Sequence, residues 1–215
     1  LLIVLTGIDG SGKTTAAQAL VDAARQTGNS ALFLPNYAGR RRMSLMSAAL
    51  GVRMPARLAD FIETAVRTFN VLNSHRRAWR FQGLAVMDRH LHCQLALRKM
   101  HGIPRGRFLP FLIRTLPQPD LVIYLDVDPH EAHARVVARG TDSERLEDLE
   151  CLRGAYQSLP EFCRFTSITA DGLPSEVLSR LQTALATASG RQAGEPAPGN
   201  PARTNSHSSF TGKRY

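Results

Sequence analysis

The sequence predicts an α/β fold, a single parallel sheet of five short strands with helices on both faces. Three observations predict it. Short apolar runs bounded by turn residues recur along the 215-residue chain, stretches of helical spacing separate them, and "LVIYLDV" (121–127) is continuous enough for a strand buried on both sides. Strands alternating with helices make βαβ crossovers, and hence a parallel sheet.

The elements follow in order. Leu1–Thr6 reads as the first strand, closing at the glycine-rich "GIDGSG". The alanine-rich amphipathic stretch Lys13–Gln26 reads as a helix, Ala31–Leu34 as the second strand and Leu58–Phe81 as a long helix. Leu84–Met87 makes a third strand that runs into Asp88, with a helix over His92–Met100 behind it. Leu121–Leu125 is the fourth strand. Asp128 followed by Pro129 has the order of an N-cap and first helical residue, opening a helix over Pro129–Arg139. Helices over Glu144–Leu159 and Pro174–Ala188 flank a weaker fifth strand, Phe165–Thr169. Residues 1–188 therefore form one domain. From Ser189 onward Gly, Pro, Ser and Asn dominate, so residues 189–215 are expected to be a disordered basic tail, with Arg191, Arg203, Lys213 and Arg214 against Glu195.

Composition narrows the function classes. Hydrophobic content of 43% and charged content of 21% are ordinary for a soluble globular protein. No apolar run approaches the roughly 18 residues of a bilayer span, which argues against a membrane partner. The chain opens without Met on what reads as a core strand, so a short piece ahead of Leu1 is expected. Cys93, Cys151 and Cys163 have no metal-ligand spacing and read as thiols in a reducing, cytoplasmic setting. The net charge of +9 invites a nucleic-acid reading, but the basic residues are spread out, with clusters at Arg40-Arg41-Arg42 and at Arg76, Arg77 and Arg80. Without a basic stripe interleaved with aromatics, arginines gripping small phosphorylated ligands explain the charge better than nucleic acid does.

Two motifs carry the chemistry. Gly7, Gly12, Lys13 and Thr14 match G-x-x-x-x-G-K-[ST], with a strand before and a helix after. Glycines let backbone N–H groups of the loop (Gly7, Asp9, Gly10, Ser11, Gly12, Thr15) converge on phosphate oxygens. Lys13 reaches the β- and γ-phosphates, and the Thr14 hydroxyl ligates Mg²⁺. The helix starting at Lys13 adds its positive end. This chain is expected to bind a nucleoside triphosphate in a three-layer P-loop NTPase fold. In "LAVMDRH", an apolar strand ends in Asp88 at the sheet edge where open α/β folds place ligand groups. Asp88 holds Mg²⁺ there or caps the following helix; the two roles can coexist. Asp126 and Asp128 read as structural.

With these segments in order, the chain resembles the thymidylate kinase family of P-loop nucleoside monophosphate kinases over about residues 1–188. The acid two residues after the first loop glycine is Asp9, the Asp-Arg-aromatic motif is met by "DRH", and "PDLVIYLDVDPHEAHARVVARG" (119–140) matches nearly throughout. A lid rich in Arg, Asp and Glu is matched in composition and position by "TDSERLEDLECLRGAYQSL", which sets the lid at about residues 139–150. The resemblance implies transfer of the γ-phosphoryl group of ATP, with Mg²⁺, to a nucleoside monophosphate, dTMP above all. It implies that Asp9 contacts the acceptor's 3′-hydroxyl, Arg89 its phosphate and Arg76 its base, and that Arg139 and Arg145 close from the lid. Gly10 stands where some relatives carry a loop arginine, which fits the arrangement in which the lid supplies that charge. The helix over Leu58–Phe81 resembles the one relatives use to pair as homodimers.

Departures cluster on the acceptor side. Leu72 and Leu97 align with aromatic positions of the family, Cys93 with a serine and Arg98 with a glutamine. Leu34-Pro35 is followed by an unusual "NYAGRRR", whose arginines either clamp an acceptor phosphate or form a solvated turn. His90, in place of the motif's tyrosine, either packs beside the strand end or transfers protons. The alternatives to a dTMP kinase are a relative with a changed acceptor and a non-catalytic ATP-binding protein. Against the latter, a binder has no need of Arg89.

Overall fold

The computed structural model describes residues 1–36, 55–140 and 144–194. Arg40-Arg41-Arg42, residues 141–143 of the expected lid (139–150) and residues 195–215 of the expected tail (189–215) lie outside the described residues. The elements run β1 (Leu2–Thr6), α1 (Lys13–Gln26), β2 (Ala31–Pro35), α2 (Ala56–Trp79), β3 (Leu84–Asp88), α3 (Leu91–Met100), α4 (Phe108–Thr115), β4 (Leu121–Asp126), α5 (Pro129–Arg139), α6 (Leu146–Gln157), β5 (Thr166–Thr169) and α7 (Pro174–Gly194), with a short 3₁₀ turn at Pro160–Arg164. The five strands form one all-parallel sheet in the order β2-β3-β1-β4-β5. The expected α/β architecture holds. Two elements differ from expectation. The helix α4 is additional, an apolar "FLPFLIRT" whose Pro110 sits in the first turn, where a missing N–H costs nothing. The last helix runs on to Gly194, past Ala188.

Alternation along the strands sorts the core. Ile3, Leu5, Val86, Ile123 and Leu125 are fully buried in the larger core, which α1 enters through Ala17, Leu20 and Val21. On the opposite face Val4, Leu34, Ala85 and Met87 form a second apolar cluster, met by Ala78 of α2. Polar contacts tie that face to the helices above it. Thr6 Oγ1 lies 3.2 Å from the Tyr156 hydroxyl and 3.4 Å from Cys93 Sγ. Arg153 clasps Asp126 with two bonds of 2.7 and 2.9 Å. Asp128 caps α5 through His130 N at 2.8 Å, so Asp126 at the end of β4 and Asp128 just beyond it both make structural contacts, as expected.

Order β3-β1-β4 puts the C-terminal tips of the three central strands side by side, and the glycine loop rises from the middle one. That loop is packed from the side by α5. A Cβ on Gly10 (φ +82°) would lie 2.3 Å from the carbonyl oxygen of Ala132, whereas one on Gly12 (φ +78°) would meet nothing within 4 Å. Any side chain at position 10 would therefore require α5 to move.

Under the β3 tip lie three buried imidazoles in a chain. His75 Nε2 and His90 Nε2 are 3.1 Å apart, and His90 Nδ1 and His92 Nδ1 are 3.3 Å apart. All three are at most 5% exposed. Burial lowers the pKa of each, that of His92 to about 4.

Two predictions follow from packing and burial. Gly12→Ala should cost about 1–2 kcal/mol for the left-handed backbone alone. Gly10→Ala adds an overpacking cost of about 1–3 kcal/mol, so its urea midpoint should be clearly the lower of the two; equal midpoints would mean that α5 does not press on the loop. The imidazoles are neutral in the fold, so their contribution is complete above about pH 6.5, their ordinary value. It drains away as pH falls toward 4, because the unfolded chain takes up protons that the native state refuses. Between pH 7 and 5, where carboxylates hardly titrate, His92 alone should cost on the order of 2 kcal/mol. His92→Gln should flatten that dependence in urea titrations.

Candidate active site

The phosphate cradle is built from a helix start left open on purpose by its sequence. Gly12, left-handed, precedes α1 with no side-chain cap, and the first turn has no acid, so its N–H groups stay available to an anion. Lys13 is 4% exposed, and its ammonium donates to Ile8 O at 2.5 Å and Ser11 Oγ at 3.3 Å and lies 3.8 Å from Asp9 Oδ1. Burial and then Arg89 pull its pKa down, against the opposing pull of Asp9 and Asp88. A lysine in that position gains from a polyphosphate.

Thr14 and Asp88 meet across the loop, Oγ1 to Oδ2 at 2.5 Å. Asp88 is fully buried, and its second oxygen, Oδ1, has no hydrogen-bond partner. The N-cap of α3 is His90, so Asp88 is released from the capping alternative. An orphaned carboxylate oxygen beside a threonine hydroxyl is a hard-oxygen donor set suited to Mg²⁺.

Arg89 follows with φ +76°, the one non-glycine residue with positive φ among the described residues. Its Nη2 donates to Asp9 Oδ1 at 2.5 Å. Burial alone would raise the Asp9 pKa, but Arg89, Lys13 and a contact with Glu144 hold it far below the carboxylate range. Asp9 in turn raises the Arg89 pKa. Lys13, Asp88, Arg89 and Asp9 thus converge.

Other expected residues do not join them. Leu72 is 42% exposed, and Arg76 is exposed on the same outward side of α2, four residues on. The structure brings neither to the loop, because α2 is inverted: its inward face is the polar one, with Glu63, Thr64, Arg67, Ser74 and His75, while Leu58, Phe61, Phe69, Leu72 and Trp79 face outward. Leu97 is core, at 5% exposure. Arg139 ends α5, and Arg145 opens α6 in an exposed pair with Glu147 at 2.9 Å. In sequence they stand on either side of residues 141–143.

The residue that sequence reasoning missed is Arg67, 1% exposed. Its Nε donates to Gln94 Oε1 at 3.0 Å, while Nη1 is buried without a partner. Gln94 donates onward to Asp60 at 3.0 Å, and Arg98 clasps Asp60 and reaches Thr64 Oγ1 at 3.2 Å. Arg67 and Arg89 also hold the buried Cys93 thiol below its ordinary pKa, against the opposing effect of burial. A signal existed: Arg67, Val71, Ser74 and His75 have the spacing of one helical face. On the other side of the loop a cavity of about 190 Å³ runs along Ser11, Gly12, Thr15, Ala16 and Ala19. Its far wall includes Val177 and Arg135, whose guanidinium is held by Ala170 O at 3.1 Å and by Glu131.

Among the described residues no helix is long and apolar enough to cross a membrane. The thymidylate kinase family model matches residues 5–180. The chain is 30% identical over 201 residues to the thymidylate kinase of Jannaschia sp. (strain CCS1), covering 85% of this chain and 94% of that protein. It is 26% identical over 175 residues to a probable thymidylate kinase of Sulfurisphaera tokodaii, covering 78% and 86%. With the thymidylate kinase of Xanthomonas campestris pv. campestris it shares 30% over 169 residues, covering 74% and 71%. A loop for polyphosphate, a buried acid and arginine at the next strand tip, and similarity running through nearly the whole domain lead to one conclusion: the chain belongs to the thymidylate kinase family of ATP-dependent nucleoside monophosphate kinases.

Proposed function

We propose that this protein transfers the γ-phosphoryl group of ATP to dTMP, giving dTDP and ADP, in a reaction that uses Mg²⁺. The observation that carries the reading is the convergence of Lys13, the Thr14–Asp88 pair and the Asp9–Arg89 pair around one loop. Phosphoryl transfer needs in-line positioning and positive charge more than covalent help. Lys13 and the loop N–H groups take the β- and γ-phosphates. Thr14 and Asp88 are the residues that would hold Mg²⁺, which when bound neutralises charge between the β- and γ-oxygens. Arg89 takes the acceptor phosphate, and Asp9, kept ionised, the sugar hydroxyl. The 190 Å³ cavity suits the donor's base, with Arg135 offering a planar cation to it. Arg139 and Arg145 close with the lid and exclude water. Base contact passes from Arg76 to Arg67, whose free Nη1 needs an acceptor oxygen such as a pyrimidine carbonyl. Three free thiols suit a cytoplasmic setting.

A changed acceptor is the second reading. Thr64, Asp60 and Arg98 make a polar wall beside Arg67 and Gln94, in contrast to a stacking surface. An ADP-release assay across the nucleoside monophosphates separates the two. Turnover highest with dTMP supports the first reading; turnover with another monophosphate and none above buffer with dTMP overturns it.

Lys13→Ala should abolish turnover. Arg67→Met should raise the acceptor KM about 10- to 100-fold, the worth of a charge-assisted bond at about 1.5–3 kcal/mol, and leave Mg·ATP binding unchanged. Leu72→Phe should not move the dTMP KM.

The outward stripe of α2 supports a homodimer. Phe61, Phe69 and Trp79 are 68%, 71% and 82% exposed, more apolar surface than a monomer's helix leaves in water. Phe69→Asp should yield monomers in sedimentation equilibrium; a parent protein that is already monomeric at micromolar concentration would refute the pairing.

A further inference from the structure

Arg89 holds a left-handed backbone that a non-glycine residue keeps only where its surroundings over-determine it. Those surroundings are identifiable. Arg89 N donates to Leu5 O at 2.9 Å, and its carbonyl accepts from Asn36 Nδ2 at 2.8 Å. Asn36 is fully buried and pinned on two further sides: its N donates to Asp88 O at 3.1 Å, and its Oδ1 accepts from Ser74 Oγ at 2.7 Å. The next residue of α2 then meets the next residue of the strand tip, His75 with His90 at 3.1 Å. His90 is held from its other nitrogen by His92, whose ring packs edge-on to Phe165. Two consecutive residues of α2 therefore fasten two consecutive residues after β3. A neutral imidazole has one donor and one acceptor, so His90 can satisfy both contacts at once.

We propose that Asn36, Ser74 and His75 are positioning residues that lock the Arg89 peptide in its left-handed form and so aim the guanidinium at the acceptor phosphate. The proposal rests on the reading of Arg89 given above. Once the carbonyl of Arg89 loses Asn36, or His90 loses its anchor on α2, the peptide can relax toward negative φ. The side chain then leaves Cα in a different direction. Of the donor half of the site, built on the loop, α1 and Asp88, only the Asp88 carbonyl touches these residues, and it does so through the backbone N–H of Asn36, which every variant keeps; the loss should therefore fall on turnover and spare nucleotide binding.

The test uses the full chain with Mg·ATP and dTMP, reading kcat, the dTMP KM, the Mg·ATP Kd by calorimetry and the thermal midpoint. Asn36→Asp keeps the shape and removes the Nδ2 donor. His75→Leu removes the imidazole contact, while His75→Gln returns an amide nitrogen at similar reach. Expected are ten- to hundredfold lower kcat for Asn36→Asp and His75→Leu, the scale of a roughly 1 Å misplacement, with the Mg·ATP Kd within twofold. His75→Gln should recover to within threefold of the parent. Ser74→Thr and Ser74→Val carry the same added bulk and differ in the hydroxyl, so they serve where other variants fail to fold; Thr should outpace Val at least threefold. The clamp is overturned if Asn36→Asp and His75→Leu keep kcat within twofold, or if Gln and Leu at 75 lose it equally. Arg89→Ala separates the two levels: a hundredfold loss there beside unaffected clamp variants removes the clamp alone, and an active Arg89→Ala removes both.

Discussion

The site depends on the burial of like charges close together. Lys13 and Arg67 are buried and Arg89 is half-buried; Asp9 and Asp88 answer Lys13 and Arg89, and Glu63 answers Arg67. Burying a cation is expensive unless it is paired and hydrogen-bonded. Here part of the pairing is left unfinished, in the free Nη1 of Arg67 and the free Oδ1 of Asp88. Those vacancies in the hydrogen-bond accounts have opposite polarity, one wanting an oxygen and the other a donor or a metal. The rest of the architecture serves to keep these groups in place without substrate. Helix α1 faces the pocket with its positive end, α5 closes on Gly10, and α2 reaches across to the tip of β3.

Much of this could be read from the chain. Strands buried on both faces announce themselves as continuous apolar runs, and the spacing of Gly7, Gly12, Lys13 and Thr14 has few uses other than phosphate. Asp88 and Arg89 stood at a strand tip, a place fixed by topology, so their convergence with the loop needed no knowledge of side-chain packing. Asp128 before Pro129 is local chemistry, and the cap formed as that chemistry dictates.

Leu72 and Arg76 are implied by alignment with the family, which fixes a position along the helix and not the side it faces. Here Leu72 belongs to a stripe facing out and Arg67 to a polar side facing in, so the buried polar group lies across the helix from Leu72 and Arg76. The spacing of Arg67, Val71, Ser74 and His75 marks the polar side, but the apolar stripe through Phe61, Phe69, Leu72 and Trp79 competes with it for the inward direction. The short helix α4 was hidden by Pro110, which looks like a breaker until it is placed in a first turn.

Most surface helices have one side facing water where substitutions are nearly silent, and drift collects there. The helix from Ala56 to Trp79 has little such ground, since charged and hydroxylic groups crowd its inner side and large aromatic ones its outer side. Both sides share one rigid rod. A change that tilts or rotates the rod to suit an altered neighbour outside must also re-aim the groups inside. In lineages of such enzymes, whatever packs on the outer side of this rod and the choice of what is phosphorylated are therefore expected to evolve as a linked pair.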